Sequence, residues 1–303
     1  MLSKRSFLTL KDLSPEEIHL ILEKAKHFKE NREIYRQQAP LHGKTLKLLF
    51  QKRSTRTRVS SELAMSELGG KAIFLGMEDI HLGVNESIRD TVQVLGRMAS
   101  GILARVYKHK DLEELQKYAE VPIINALSNK FHPLQALADL FTIKSHFGTL
   151  TGQKVGWVGD GNNVCHSLMI ACAKMGINMM VASPPNYEPL KEVITYCKEI
   201  AHAEIAVTND PINTVSDANV VVTDTFISLG QESQKEKKLQ HFQGFQVNSD
   251  LIKHAKPDYI FMHCLPRHQE EVTDEIFYST HSLVFDEAEN RLYTVAAVLK
   301  NIL

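Results

Sequence analysis

Hydroxyl and guanidinium side chains follow one another between residues 50 and 58, directly after an apolar run that predicts a buried strand. Apolar residues at helical spacing come next, and they predict a helix that begins near Ser54 or Thr55. The free N–H groups and the positive dipole end of a helix N-terminus attract anions, and the fork-shaped donors of Arg56 and Arg58 match a phosphate or a carboxylate. The segment therefore indicates a site for a small phosphate, although a solvated basic helix start explains the same residues.

A glycine-containing turn, Gly159 to Val164, follows a predicted strand and opens a predicted helix. Its first glycines resemble a dinucleotide fingerprint, but Val164 replaces the third glycine and the next strand ends without a carboxylate for a ribose. This opposes a nicotinamide dehydrogenase. Because ligands of open α/β sheets bind at the carboxyl ends of strands, we expect Asn163 to bind a ligand, and a purely turn-forming asparagine is the alternative.

A carboxylate follows the apolar strand 220–222 in the same way, at Asp224. A carboxylate at a strand end can bind an ammonium group, and the N–H groups of the loop 225–230 can bind a carboxylate. Together they would recognise an amino acid. An aspartate that only caps a turn explains the residue equally well.

A further strand ends in His263 and Cys264. Neighbouring residues of a strand alternate between its two faces, so these side chains do not easily bind one ion, and we predict no metal site. Arg267 lies close in sequence and is expected to lower the pKa of the Cys264 thiol, which would then contact a substrate. A buried structural cysteine is the alternative.

Three separate segments add groups suited to an anionic carbonyl compound. Arg105 ends a predicted strand, His132 and Gln135 start a predicted helix, and Arg291 starts the last predicted helix. Each of these residues alone is more often a surface cation or a satisfied core histidine. In combination with the segment 50–58, they favour a site where cations bind a phosphate and a carbonyl oxygen.

Strands and helices alternate along the whole chain, which predicts parallel sheets covered by helices on both faces. The predicted fold class is therefore α/β, with two doubly wound parallel-sheet domains joined by interdomain helices. We expect one domain over residues 1–135 and a second over 148–286. The helix 131–147 crosses between them, and the last helix, 287–303, packs back on the first domain.

Two further local patterns lead to predictions. Val59, Leu63 and Leu68 fall near one face at helical spacing, which supports the helix after residue 54. The segment Gln231 to Lys238 is charged and polar, which is typical of a mobile surface loop.

The composition describes an ordinary globular protein of 303 residues with a net charge of -1, which does not favour nucleic acid or an anionic membrane as a partner. The four cysteines form no CxxC pair, as expected for free thiols in a reducing compartment. The N-terminal residues lack a secretory signal and an Arg- and Ser-rich presequence, so we expect a cytoplasmic protein, with a mature mitochondrial matrix form as the alternative.

The segments Ser54–Arg58, His132–Gln135 and His263–Arg267 resemble the signatures of the transcarbamylase family, in matching order and nearly from end to end. The loops at Asn163 and Asp224 are similar to the ornithine branch. The resemblance implies a carbamoyl-phosphate domain, an ornithine domain, citrulline and phosphate as products, and a homotrimer with active sites at subunit boundaries. It implies no metal or redox cofactor.

The resemblance also implies roles for individual residues. Those for carbamoyl phosphate are Ser54, Thr55, Arg56, Thr57, His81, Arg105, His132, Gln135, Cys264, Leu265 and Arg291. Those for ornithine are Asn163, Asp224, Ser228 and Leu229. Arg105, His132, Cys264 and Arg291 are the expected catalytic residues, and Leu229 stands where the family usually has methionine.

Four rival functions remain open at this stage. Aspartate carbamoylation is disfavoured because that branch usually has proline at the position of Cys264. Carbamoylation of putrescine or of a modified ornithine shares most of the framework. A catalytically silent relative is opposed by the presence of every motif residue, and a dehydrogenase by the incomplete glycine fingerprint.

Overall fold

The computed structural model describes residues 4–79, 86–227 and 235–303. The chain forms two compact units, one of Met1–Ala138 with Glu289–Leu303 and one of Asp139–Ala288. Each unit is built on its own parallel sheet with helices packed against it, which confirms the predicted α/β class. The predicted domain limits at 135 and 148 stay predictions.

The first unit is organised around a sheet of four parallel strands within the described residues. Its elements in chain order are α1 (Pro15–Glu30), α2 (Arg32–Gln38), β1 (Thr45–Phe50), α3 (Thr55–Glu67), β2 (Lys71–Leu75), α4 (Ile88–Gly96), β3 (Gly101–Arg105), α5 (His109–Tyr118) and β4 (Ile123–Leu127). The strand order is β2-β1-β3-β4. The chain therefore leaves β1 on one side for β2 and later returns on the other side for β3, so the switch point lies between β1 and β3.

The ends of β1 and β3 bring two predicted binding segments to one edge of this sheet. Phe50 pairs with Arg105 in the parallel register, and the N–H of Gln51 donates to the carbonyl oxygen of Arg105 at 2.8 Å. The helix α3 begins a few residues after Phe50. The sheet thus places Arg105 near the start of α3, at the switch point where ligands of open α/β sheets bind.

Local sequence signals explain where α1 and α3 begin. Ser14 and Glu17 form a capping box on α1, with hydrogen bonds of 2.9 and 3.2 Å between side chains and backbone. Ser54 caps α3 by accepting the N–H of Thr57 at 3.3 Å. The predicted start of α3 near Ser54 is confirmed.

The apolar residues that predicted α3 do not share one buried face. Val59 and Leu63 are 55% and 38% exposed, whereas Leu68, the C-cap, is fully buried. The buried residues within α3 are Thr57, Ser60, Ser61, Ala64, Met65 and Glu67. Apolar spacing alone identified the helix correctly, but it could not identify the face that the sheet covers.

The second unit contains five parallel strands within the part of the chain that the structure describes. The helix α6 (Pro133–Phe147) leads into it, and its elements continue with β5 (Lys154–Val158), α7 (Asn163–Met175), β6 (Asn178–Ala182), α8 (Lys191–Ile200), β7 (Ile205–Thr208), α9 (Pro211–Val215), β8 (Val220–Thr223), α10 (Lys235–His241), α11 (Ser249–Ile252), β9 (Ile260–His263) and α12 (Asp274–Phe277). The last helix is α13 (Val284–Ile302), which begins three residues before its predicted start at 287.

The strand order of the second sheet is β7-β6-β5-β8-β9, so its switch point lies between β5 and β8. The turn after β5 needs glycine at position 161, because a Cβ there would lie 2.2 Å from the backbone nitrogen of Pro189. The N–H of Gly161 also donates to the carbonyl oxygen of Tyr187 at 2.8 Å. This close approach explains the glycine without any nucleotide.

The prediction of a mobile polar loop is wrong for its last residues. Residues 235–241 form α10, and Lys238 is only 4% exposed. Residues 228–234 lie outside the described ranges. Among the helices that the structure describes, none is long and apolar enough to cross a membrane.

Candidate functional site

The N-terminus of α3 and two other helices form a polar cluster in the first unit. The guanidinium of Arg291, from α13, donates to the side-chain oxygen of Gln135 in α6 at 2.8 Å. It also donates to the hydroxyl of Thr57 in α3 at 3.3 Å. All three side chains are buried. The unit thus holds a desolvated cation beside a helix N-terminus, and both favour an anion.

The imidazole of His132 lies within electrostatic range of Arg291 and of two further arginines. Burial keeps the pKa of this imidazole well below its ordinary value, and the positive charges of Arg291, Arg105 and Arg56 lower it further. The ring is therefore neutral at neutral pH. A neutral imidazole can donate one hydrogen bond to a carbonyl oxygen without adding a fourth charge to the cluster.

The burial of His132 predicts a pH dependence of stability. Its folded pKa is lowered, so below its ordinary pKa the unfolded chain binds a proton that the folded chain does not, and stability is lost as the pH falls. The loss is at most about 1.4 kcal/mol per pH unit. We expect His132→Gln to weaken this dependence between pH 7.5 and 5.5 in urea unfolding. The exposed His146→Gln serves as the control, and equal slopes in all three proteins would contradict the assignment.

Two cations of the segment 50–58 differ from the sequence-based expectation. Arg58 is exposed, forms an ion pair of 2.9 Å with Glu62 and lies 3.8 Å from the ring centre of Phe74, so the structure does not bring it to the cluster. Lys52 was missed by sequence reasoning. Burial and the charge of Arg105 lower the pKa of Lys52, which places it near the strand ends. Its position two residues after β1 was the available signal.

A second polar cluster lies at the switch point of the second unit, around the carboxylate of Asp224. The amide of Asn162 donates to it at 2.7 Å, and the thiol of Cys264 donates to it at 3.1 Å. The N–H of Thr225 donates at 2.7 Å. Because these residues follow β5, β8 and β9, the ends of three neighbouring strands meet on one carboxylate.

The two asparagines of the turn after β5 have different positions. Asn162 is the N-cap of α7, and its side-chain oxygen accepts the N–H groups of Val164 and Cys165 at 2.9 and 3.1 Å. Asn163 is the first residue of the helix and is half-buried. The side chain of Asn162 is thus engaged in hydrogen bonds within the protein. The assignment of Asn163 as a ligand-binding residue stays a prediction.

The predicted low pKa of Cys264 is wrong. Burial raises the pKa of this thiol well above its ordinary value, and the negative charge of Asp224 raises it further. Arg267 does not contact it, since its guanidinium pairs with Asp274 and lies 4.5 Å from the ring centre of Phe277. Cys264 is therefore a protonated hydrogen-bond donor.

We expect Cys264 to act without forming a covalent intermediate. A mass spectrum of the protein quenched during turnover should show no carbamoyl group on this thiol. The rate of alkylation by iodoacetamide depends on the thiolate, which forms at higher pH when the pKa of the thiol is raised. The alkylation rate of Cys264 should therefore rise at a higher pH than the rate of the free amino acid cysteine measured under the same conditions. Cys264→Ser identifies the modified site, since the other three cysteines are buried. A trapped carbamoyl thioester on Cys264 would contradict the prediction.

His263 and Cys264 lie closer together than strand alternation suggested. Donor atoms of Asp224, His263 and Cys264 lie within 4.8 Å of one another, because β9 ends at His263 and Cys264 is no longer part of the strand. Two of these donors are engaged within the protein. The thiol donates to Asp224, and Nδ1 of His263 accepts the N–H of Leu265 at 2.9 Å. The absence of a metal site stays a prediction.

The remaining predicted site residues are placed as follows. Thr55 is exposed at the start of α3, and Arg56 is half-buried in its first turn. Leu265 is half-buried directly after Cys264. His81, Ser228 and Leu229 lie outside the described residues.

Comparisons with protein families match both halves of the chain. The sequence model of the carbamoyl-P binding domain of aspartate/ornithine carbamoyltransferases matches residues 5–145. The model of the Asp/Orn binding domain of the same family matches residues 151–302.

Individual relatives agree with these matches. The ornithine carbamoyltransferase of Pyrococcus horikoshii is 52% identical over all of this chain and 96% of its own length. A mitochondrial ornithine carbamoyltransferase of Schizosaccharomyces pombe is 50% identical over 99% of this chain and 94% of its own. The solved structure of the Pyrococcus furiosus ornithine carbamoyltransferase superposes with a TM-score of 0.96 at 51% identity, covering 99% of this chain and 97% of that chain.

Proposed function

Because the chain belongs to the aspartate/ornithine carbamoyltransferase family, we propose that it transfers the carbamoyl group of carbamoyl phosphate to the δ-amine of L-ornithine. The products are L-citrulline and phosphate. The observation that carries the proposal is the buried contact of Arg291 with Gln135 and Thr57 at the N-terminus of α3. It provides a cation and helix N–H groups for a phosphate in the unit that matches a carbamoyl-P binding domain.

The first unit supplies the electrostatic part of the reaction. The uncharged δ-amine attacks the carbamoyl carbon, a C–N bond forms, the bond from that carbon to the phosphate oxygen breaks, and the proton lost by the nitrogen ends on the departing phosphate. Negative charge develops first on the carbonyl oxygen and then on the leaving phosphate. Neutral His132 donates a hydrogen bond to the carbonyl oxygen, while Arg56, Arg105 and Arg291 stabilise the charge from fixed positions.

The second unit supplies the acceptor part. Asp224 is a buried carboxylate that suits an ammonium group, and the protonated thiol of Cys264 donates a hydrogen bond to it at 3.1 Å. The proposed partner of Asp224 is the α-ammonium group of ornithine, which leaves the uncharged δ-amine to attack. Asn163 is proposed to bind the amino-acid end of the substrate, together with Ser228 and Leu229.

The remaining assignments complete the proposal. Ser54, Thr55, Arg56 and Thr57 bind the phosphate, with His81 from a neighbouring subunit. Leu265 and Cys264 complete the carbamoyl pocket. A homotrimer is part of the proposal, and light scattering of the purified protein tests it. The cytoplasmic location stays a prediction, since one relative at 50% identity is named as mitochondrial.

A comparison of amine acceptors tests the function. Product formation from carbamoyl phosphate is measured with ornithine, putrescine, lysine and aspartate side by side. We expect citrulline from ornithine at the highest kcat/KM, and little product from aspartate. A higher kcat/KM for putrescine would show that the α-amino and carboxylate ends are not recognised, and no product with any amine would contradict a catalytic role.

A further inference from the structure

Lys238 is a cation of the second unit to which no part of the proposed mechanism assigns a role. It lies in α10 and is 4% exposed, although the sequence around it is strongly polar. Its ammonium group donates to the carboxylate of Asp160 at 2.6 Å. The group also lies 5.2 Å from the ring centre of Tyr187 and 5.6 Å from that of Phe242. A lysine is almost never buried to this degree unless it is paired.

Asp160 lies in the turn after β5 that carries the acceptor-site asparagines. Its carbonyl oxygen accepts the indole N–H of Trp157 at 3.1 Å and the N–H of Asn162 at 2.8 Å. Its side chain pairs with Lys238. Asp160 therefore connects the buried strand β5, the turn and α10 at one point.

Asn162 is the next residue in this chain of contacts. Its amide donates to Asp224 at 2.7 Å, and the thiol of Cys264 donates to the same carboxylate. A displacement of the backbone at Asp160 would move the amide of Asn162 relative to Asp224. Tyr187 adds a second connection, because its carbonyl oxygen accepts the N–H of Gly161 and its hydroxyl lies 3.0 Å from Nδ1 of His241 in α10.

The ion pair of Lys238 with Asp160 also affects the charge of the turn after β5. Burial raises the pKa of Asp160 above its ordinary value, the charge of Lys238 opposes this shift, and the charge of Asp224 adds to it. Without Lys238, Asp160 is a buried carboxylate close to a second one, which favours its protonation or its displacement. Lys238 thus keeps the charge of the turn compatible with Asp224 as the acceptor-binding carboxylate.

We propose that Lys238 is a positioning residue for the amino-acid acceptor, which acts through its ion pair with Asp160 and fixes the turn that holds Asn162 on Asp224. The proposal rests on the proposed function, because it concerns the acceptor of that reaction. It predicts a selective effect on ornithine, since the contacts run to Asp224 and not to the cluster of Arg291 and Gln135.

The first experiment compares kinetic constants. In Lys238→Met we expect the kcat/KM for ornithine to fall about 10- to 100-fold, as for a misplaced binding group, while the KM for carbamoyl phosphate stays within about twofold. Lys238→Arg keeps the cation and should recover most of the loss. The matched control is Lys237→Met, an exposed neighbour in the same helix, which should behave as wild type.

A double-mutant cycle tests whether Lys238 acts through Asp160. Asp160→Asn should reproduce the selective loss, and the double variant with Lys238→Met should lose no more than the more damaged single variant. Losses that add would show that the two residues act independently and would overturn the proposal. If Lys238→Met does not fold, Asp160→Asn and Lys238→Arg still provide the comparison.

Fluorescence provides a readout that does not depend on activity. Trp157 is the only tryptophan of the chain, and its indole donates to the backbone of Asp160. We expect its emission to change in Lys238→Met, to return in Lys238→Arg and to stay unchanged in Lys237→Met. An unchanged emission together with an unchanged KM for ornithine overturns the proposal. A wild-type protein that forms no citrulline contradicts the proposed function instead, while the emission still reports whether Lys238 positions the turn.

Discussion

Replacing Arg56 by glutamine should lower kcat by about 100- to 1000-fold, the usual effect of losing one fixed donor that stabilises transition-state charge. Arg56 lies in the first turn of α3, half-buried, and its charge contributes to the low pKa of His132. The proposed reaction develops negative charge on the carbonyl oxygen and on the leaving phosphate near this helix terminus. Glutamine keeps the helix propensity but removes the cation. Steady-state citrulline formation measures the effect.

Arg58 offers a matched control for this variant. It lies two residues further along the same helix, is exposed and pairs with Glu62. An exposed pair of this kind contributes at most about 1 kcal/mol, so Arg58→Gln should remain within a few-fold of wild type. Inhibition by inorganic phosphate should weaken in Arg56→Gln and not in Arg58→Gln. Near-normal turnover of Arg56→Gln would remove Arg56 from the phosphate site.

Replacing Asp224 by asparagine should lower the kcat/KM for ornithine roughly 100-fold, the typical cost of removing one partner of a buried charge pair. The carboxylate accepts hydrogen bonds from Asn162, Thr225 and Cys264, so it is fixed before any substrate binds. Asparagine has nearly the same shape, but it cannot neutralise an ammonium group. The KM for carbamoyl phosphate should change little, because the residues that are proposed to bind its phosphate belong to the first unit.

Asp210 is the corresponding control. It also follows a strand of the second sheet, β7, and it caps α9 by accepting the N–H of Asn213 at 3.1 Å. Asparagine caps a helix as well as aspartate does, so Asp210→Asn should leave both stability and kinetics unchanged. An equal rise in both KM values in Asp224→Asn would indicate a general structural role and contradict the acceptor assignment.

Much of the fold follows from local sequence signals. The alternation of apolar runs with helical patterns predicted the α/β class, and the capping residue Ser54 predicted a helix start that the structure confirms. These signals work because caps and strand ends depend on a few neighbouring residues. Strand ends in turn located the candidate polar residues, since a parallel sheet places the carboxyl ends of its strands at one edge.

Burial and charge state were harder to predict. The helix α3 buries hydroxyl residues and exposes Val59. The helix α10 buries Lys238, although the sequence of this segment predicted a polar surface loop. Cys264 has a raised pKa, although a neighbouring arginine suggested a lowered one. Each of these properties depends on groups that are distant in sequence, such as Asp160 for Lys238 and Asp224 for Cys264.

The amino-acid sequence by itself determined the alternating order of strands and helices, the anion-binding start of α3 and the residue types available at each strand end. Only the tertiary structure decided which of these groups contact one another. Arg291 and Gln135 are 156 positions apart, and Asn162 and Asp224 are 62 apart, yet each pair forms one hydrogen bond. The physical reason is that strand order and helix packing bring distant segments together, and the resulting burial and neighbouring charges then set pKa values that local sequence does not encode.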